Sequence, residues 1–226
     1  MKRDDKPRTA ADRRAQPAYP FHEAARYLLL PLSTLRSWFF GQERFEPVIE
    51  FSDPRQRLLS FDNLVEAHVL AAMRRKHSVP LPHIRTALDH VKKRLHVRRP
   101  LLDQQFETNG VDLFIKDLGD LLNVSQGGQL ALQFRARLER IERDDHGLPI
   151  RLFPYTRSKE PEDIRLIVID PEMAFGRPAI VGQGIGTQVI RDRFDAGEPI
   201  DSLAEDYGVD KAAIEEAIRC ELRRVA

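Results

Sequence analysis

The chain holds one cysteine, Cys220, in 226 residues. That excludes an internal disulfide framework and a zinc site built from several cysteines, and it fits a reducing compartment, so a cytoplasmic location is expected. No apolar run approaches the roughly 20 residues that a membrane-spanning helix needs, and no membrane partner is expected. The opening stretch M-K-R-D-D-K-P-R-T-A-A-D-R-R-A-Q carries charge but lacks the apolar core of a signal peptide. Residues 1–16 read as a disordered arm. Enzyme signatures are scarce too. Gly182, Gly184 and Gly186 spell G-x-G-x-G between a strand-like and a helix-like stretch. No Lys-Ser/Thr pair follows, as a P-loop requires, and the third spaced glycine of the dinucleotide fingerprint is missing. No nucleophile elbow is present, and no histidine lies near Cys220 in sequence. His77, His83, His90 and His96 cluster, but His83 and His90 stand a heptad apart, not at the i, i+4 spacing that chelates a metal on one helix. No catalytic residue, no metal and no cofactor are expected, and the chain does not read as an enzyme.

Net charge is also nearly absent, at +1. Its distribution is uneven. Up to Arg99 there are about 20 Lys and Arg against 11 Asp and Glu; from Pro100 onward there are about 16 against 24. A basic half followed by an acidic half suggests nucleic-acid contact at one end.

The stretch F-H-E-A-A-R-Y-L-L-L-P-L-S-T-L-R-S-W-F-F-G, Phe21 to Gly41, carries the clearest local pattern. Ala24, Ala25 and Leu28 give one small apolar helical face. Leu29-Leu30-Pro31 ends that helix, because proline cannot continue it. Ser33 then stands where an N-cap is expected, Leu35, Trp38 and Phe39 recur at i, i+3, i+4, and Gly41 fits a C-cap. Two such helices around a tight turn make a helix-turn-helix, whose second helix can enter a major groove. Ser33, Thr34, Arg36 and Ser37 are the candidate groove contacts. Val48, Ile49 and Phe51, a turn at Ser52-Asp53-Pro54, and a return through Arg57-Leu58-Leu59 predict a short hairpin. That hairpin would be a wing, with Arg55 and Arg57 near its tip as candidate phosphate or minor-groove contacts.

Further on, Ser60 caps a helix predicted from Phe61 to about Lys76. Ile84, Ala87, Leu88, Val91 and Leu95 mark another, with Pro82 at its first position and a basic face. Gln105 to Lys116, built around Asn109-Gly110, reads as a hairpin. Leu118 to Val124 is ambiguous between strand and helix. Gln126 to Arg143 reads as a helix, Asp144 to Gly147 as a turn, and Ile150 to Tyr155 as a strand. Ser158 to Glu162 looks like a linker. Arg165 to Ile169 is strand-like, and a second short apolar strand sits between glycine-bearing turns. Three helices follow, Thr187 to Ala196, Ile200 to Tyr207 and Asp210 to about Arg224. The expected class is mostly α with small β elements (α+β). It would comprise a winged helix-turn-helix domain over 17–99, a central α/β segment over 100–159, and a tri-helical bundle with a short β-hairpin over 160–226.

E-A-A-R-Y-L followed by S-T-L-R-S-W resembles the winged helix-turn-helix of MerR-like regulators, in the variant at the N-terminus of VapB-like antitoxins. Ile169-Asp170-Pro171, Gly176-Arg177-Pro178, Gly182, Gly197-Glu198, Leu203 to Tyr207 and Ala217 resemble the antitoxin-like family called domain of unknown function 433. Where that family usually shows Gly-Thr-Arg, this chain has Gly182-Gln183-Gly184. The resemblance implies a DNA-binding type II antitoxin. Such a protein holds a cognate toxin, often a PIN-like ribonuclease, inactive and represses its own operon. The implied partners are double-stranded DNA of its own operator, the toxin, and a second copy in a homodimer. Two other readings remain: a stand-alone MerR-like regulator sensing a small molecule through the middle stretch, and an adaptor whose helical units bind only protein.

Overall fold

The computed structural model describes residues 12–41, 46–73, 80–122, 127–156 and 165–222. Residues 1–11 of the expected arm, the basic Arg74-Arg75-Lys76 run, the 158–162 linker and Arg223-Arg224 lie outside the described residues. The chain is mostly helical, with small antiparallel sheets. Helices α1 (Phe21–Leu28), α2 (Leu32–Phe40), α3 (Phe61–Leu70) and α4 (Leu81–Leu95) come first. Helices α5 (Val111–Leu122) and α6 (Gly127–Leu138) follow, then strands β1 (Ile141–Arg143) and β2 (Pro149–Leu152). Strands β3 (Ile167–Val168) and β4 (Ala179–Ile180) precede α7 (Thr187–Asp195), α8 (Ile200–Tyr207) and α9 (Lys211–Leu222).

Each β-pair is antiparallel, with Ile141 opposite Leu152 and Ile167 opposite Ile180. Leu152 and Ile169 exchange both backbone hydrogen bonds, at 3.0 and 2.8 Å, and so tie the two hairpins together. One contiguous apolar cluster runs from Tyr19 to Cys220.

Several local expectations need correction. Residues 105–116 form no hairpin. A π-helical turn, Phe106–Gly110, leads straight into α5. Gly110 does not adopt a left-handed backbone. It is there for space: a Cβ on it would come within 2.8 Å of the Phe106 ring and 3.2 Å of Leu95. Phe106, Phe114 and Phe134 meet edge to face around this point. That aromatic cluster outweighs the local turn preference of Asn-Gly. Residues 118–122 are helical, and 141–143 are strand, not the end of a helix.

The hairpin expected over residues 48–59 is also absent, because its backbone groups are committed elsewhere. Val48 and Ile49 both donate to the Trp38 carbonyl, at 2.8 and 3.0 Å. The Asn63 side chain takes the Glu50 carbonyl and the Ser52 N–H. Leu59 pairs with Tyr19 in an isolated bridge. With donors and acceptors satisfied this way, no ladder is left for the two arms to form between themselves. The anchor is the start of α3, where Ser60 and Asn63 make a reciprocal capping box. Residues 12–16, expected at the end of the arm, form a turn whose Arg14 bonds Asp12 and Asp144.

Candidate nucleic-acid interface

Helix α1 ends because Leu29 turns left-handed (φ 55°) and Pro31 follows. Pro31 is itself the N-cap of α2, so Ser33 lies in the first turn and is not the cap. Leu35, Trp38 and Phe39 are buried, as their spacing predicts. Gly41 ends α2 with φ 74°, its N–H bonded to the Ser37 carbonyl at 3.1 Å.

The α2 spacing divides the candidates. Ser33 and Arg36 are exposed and Ser37 is half-buried. The Ser37 hydroxyl donates to the Thr34 carbonyl at 2.7 Å. Thr34 is 7% exposed and belongs to the packed face. One further residue completes the outward stripe. Phe40 is 45% exposed and follows Ser33, Arg36 and Ser37 at i+7, i+4 and i+3. The i, i+3, i+4, i+7 count from Ser33 could have found it in the sequence.

The loop that replaces the hairpin still brings Arg57 to this stripe. Phe51 packs on Phe21, Phe39 and Phe40, with ring centroids 5.1–6.0 Å apart. Arg57 has its guanidinium 5.9 Å from the centre of the Phe40 ring. Asp53 accepts the Arg55 N–H at 2.9 Å, which shapes the turn and leaves Arg55 exposed. Among the described residues, Arg36, Arg55 and Arg57 form no ion pair, nor do Lys93 and Arg94 on α4. Other cations of the basic half are engaged. Arg99, buried beside Glu66 and Asp62, loses hydration, but the two carboxylates outweigh that loss and raise its pKa.

Helix α1 is held from behind by the acidic half. Arg26 reaches Glu221 on α9 at 2.7 Å, and Glu23 pairs with Arg177. Tyr19 hydrogen-bonds the Gly176 carbonyl at 2.7 Å. The opposite charges of the two halves thus meet partly inside the molecule. His90 pairs with Asp117 on α5 at 2.7 Å. Among the described residues no group of three His, Cys, Asp or Glu is placed to hold a metal. No helix among them is long and apolar enough to cross a membrane.

Residues 167–219, from β3 into α9, match the family model described as "Protein of unknown function (DUF433)". This agrees with the likeness read from Ile169-Asp170-Pro171 and Gly176-Arg177-Pro178. Two proteins of Mycobacterium tuberculosis are similar along most of their length. "Uncharacterized protein Rv2308" is 24% identical over 213 residues, covering 88% of each chain. "Putative antitoxin VapB45" is 29% identical over 230 residues, covering 89% of this chain and 92% of that one. The crystal structure of Rv2018 from the same organism superposes with a TM-score of 0.68 at 25% identity, over 90% of this chain and 98% of that chain. The architecture is therefore shared with the Rv2018 protein along most of the chain.

Proposed function

We propose that this chain is a non-enzymatic, DNA-binding antitoxin that represses its own operon and neutralises a cognate toxin, in keeping with the PIN-like ribonuclease implied by the family likeness. The observation that carries the DNA reading is the outward stripe of α2. Ser33, Arg36 and Ser37 lie along it, Arg57 stands beside Phe40 at its far end, Arg55 is exposed on the same loop, and among the described residues none of these three arginines forms an ion pair. Arg36 is the residue for a base edge, because a guanidinium can take guanine O6 and N7 together. Arg55 and Arg57 fit phosphate contacts. Thr34 supports the helix from its buried side. α1 and α2 serve as the two helices of a MerR-like helix-turn-helix, with the 46–59 loop in the place of a wing. The toxin half of the reading is supported by the similarity to the protein named VapB45.

The test is fluorescence anisotropy of a duplex taken from immediately upstream of this reading frame, against a scrambled duplex at the same salt. The expected result is preference for the native duplex, weakened about tenfold or more by Arg36→Ala with the unfolding midpoint unchanged. Equal binding by wild type and mutant removes Arg36 from the interface; no binding by wild type overturns the DNA reading. Co-expression with the product of the adjoining reading frame tests the toxin partnership, and failure of the two to co-purify overturns it.

A further inference from the structure

The outward stripe of α2 closes on a residue that a solvated surface does not call for. Ser33, Arg36 and Ser37 are polar, whereas Phe40 leaves 45% of its surface in solvent. At about 100° per residue, the helix turns Phe40 to a direction between those of Arg36 and Ser37. The ring therefore lies in the middle of the stripe and not at its edge. Leu35, Trp38 and Phe39 already fill the inner face of the same helix.

The ring is held in place from one side. Phe21 and Phe51 stand 5.3 and 5.4 Å from it, centre to centre. Phe51 is itself fixed, because the Asn63 side chain bonds the Glu50 carbonyl before it and the Ser52 N–H after it. The Arg57 guanidinium lies 5.9 Å over the same ring. Arg57 carries a left-handed backbone, φ 49°. A residue with a Cβ keeps that conformation only where its surroundings impose it, and such strain gathers at binding sites. Phe40 is thus a preset aromatic with packed neighbours on one side and solvent on the other.

We propose that Phe40 reads the C5-methyl group of a thymine in the operator. This deepens the DNA reading given above and rests on it. The floor of the major groove presents hydrogen-bond donors and acceptors, and the thymine methyl is the apolar group among them. A ring carried on the same helix face as Arg36 finds its apolar match there. The cation beside the ring suits the same placement, since Arg57 can take a phosphate of the flanking backbone while Phe40 faces the base. Arg36 and Phe40 are one helical turn apart, a rise of about 6 Å, which spans up to about two base steps of 3.4 Å. The thymine is therefore expected within two base pairs of the guanine assigned to Arg36. In this arrangement Phe40 sets sequence preference, whereas Arg55 and Arg57 contribute affinity.

The test compares the native upstream duplex with the same duplex in which every thymine is replaced by deoxyuridine. That exchange removes the methyl groups and leaves every hydrogen-bonding edge intact. Anisotropy titrations of the full chain are run at low salt, where phosphate contacts keep all the affinities measurable. Wild type is expected to bind the deoxyuridine duplex about fourfold more weakly, the effect of one buried methyl group. Phe40→Ala is expected to bind the two duplexes equally, and Phe40→Leu, still apolar, to keep a preference for thymine. Arg36→Ala is expected to lose affinity for both duplexes and to retain the wild-type ratio. A ring that only packs on Phe21 and Phe51 would change the unfolding midpoint and the overall affinity of Phe40→Ala but not this ratio. Wild type that binds both duplexes equally overturns the proposal and leaves the DNA reading standing, as does an undiminished ratio in Phe40→Ala. Wild type that binds neither duplex overturns both.

Discussion

The Tyr19 hydroxyl donates a 2.7 Å hydrogen bond to the Gly176 carbonyl across 157 residues of sequence. Burial pushes the phenol pKa well above its usual value, so it remains a donor at every physiological pH. The bond fixes the approach to α1 against the loop that carries Phe175. A Cβ on Gly176 would lie 2.7 Å from the same oxygen.

That geometry predicts non-additive mutations. Tyr19→Phe leaves a buried carbonyl without its partner and should cost about 1–2 kcal/mol in urea unfolding. Gly176→Ala should cost more, because it combines a clash with a left-handed backbone. The double mutant should be less destabilised than the sum, since removing the hydroxyl relieves the clash. Additivity within about 0.3 kcal/mol would contradict this contact.

Arg26 and Glu221 form the second link between the halves. The Glu221 side chain is 2% exposed, and it also accepts the Thr187 hydroxyl at 2.5 Å. Arg26→Ala strands that carboxylate and should cost about 3 kcal/mol. Adding Glu221→Gln removes the uncompensated charge and should recover part of the loss in thermal melts. No recovery would mean that Arg26 acts through packing alone.

If Arg55 and Arg57 touch phosphates, each alanine substitution should lower the slope of log K against log salt by about 0.9. Preference between duplexes should hardly change. An unchanged slope with altered preference would make them base readers.

Asp144 gives a pH-dependent contribution. Burial opposes its ionisation, but hydrogen bonds from Leu148 N–H, His146 N–H and Arg14 outweigh it and hold the carboxyl below its ordinary value of 3.8. A lowered folded pKa stabilises the protein above 3.8, and that stability is lost as pH falls through the lower folded value. Wild type should therefore be the more stable near neutrality, and Asp144→Asn should converge with it in acid. Chemical denaturation at several pH values checks this.

Cys220 is buried, and burial first, then the Glu221 carboxylate, pushes its thiol up to about 12. The native protein should resist a thiol-reactive dye at pH 8 and react fully once unfolded in guanidinium. Rapid labelling of the folded chain would show that α9 opens.

Local patterns were readable where one element's own chemistry decides the outcome. Ser60 capping α3, Gly41 ending α2, and the apolar stripes of α2 and α4 all follow from spacing within a few residues. The pattern failed where distant partners compete for the same groups. Asn109-Gly110 has strong turn chemistry, yet Phe114 and Phe134 claim Phe106 for a helical core. Val48 and Ile49 look like a strand, yet the end of α2 takes their N–H groups. Of the candidate interface, Arg36 was legible from helix phase, whereas the nearness of Arg57 to Phe40 depends on a loop whose path is set by Asn63.

By itself the sequence determined the helical phase of α1 and α2, the likeness of residues 167–219 to the DUF433 model, and the opposite charge of the two halves. These depend on short-range periodicity and composition. Only the tertiary structure decided that the halves bind each other through Tyr19, Arg26 and Glu23. Only it turned Phe175 outward. Those outcomes follow from which buried groups find partners across the chain, and no local spacing encodes that.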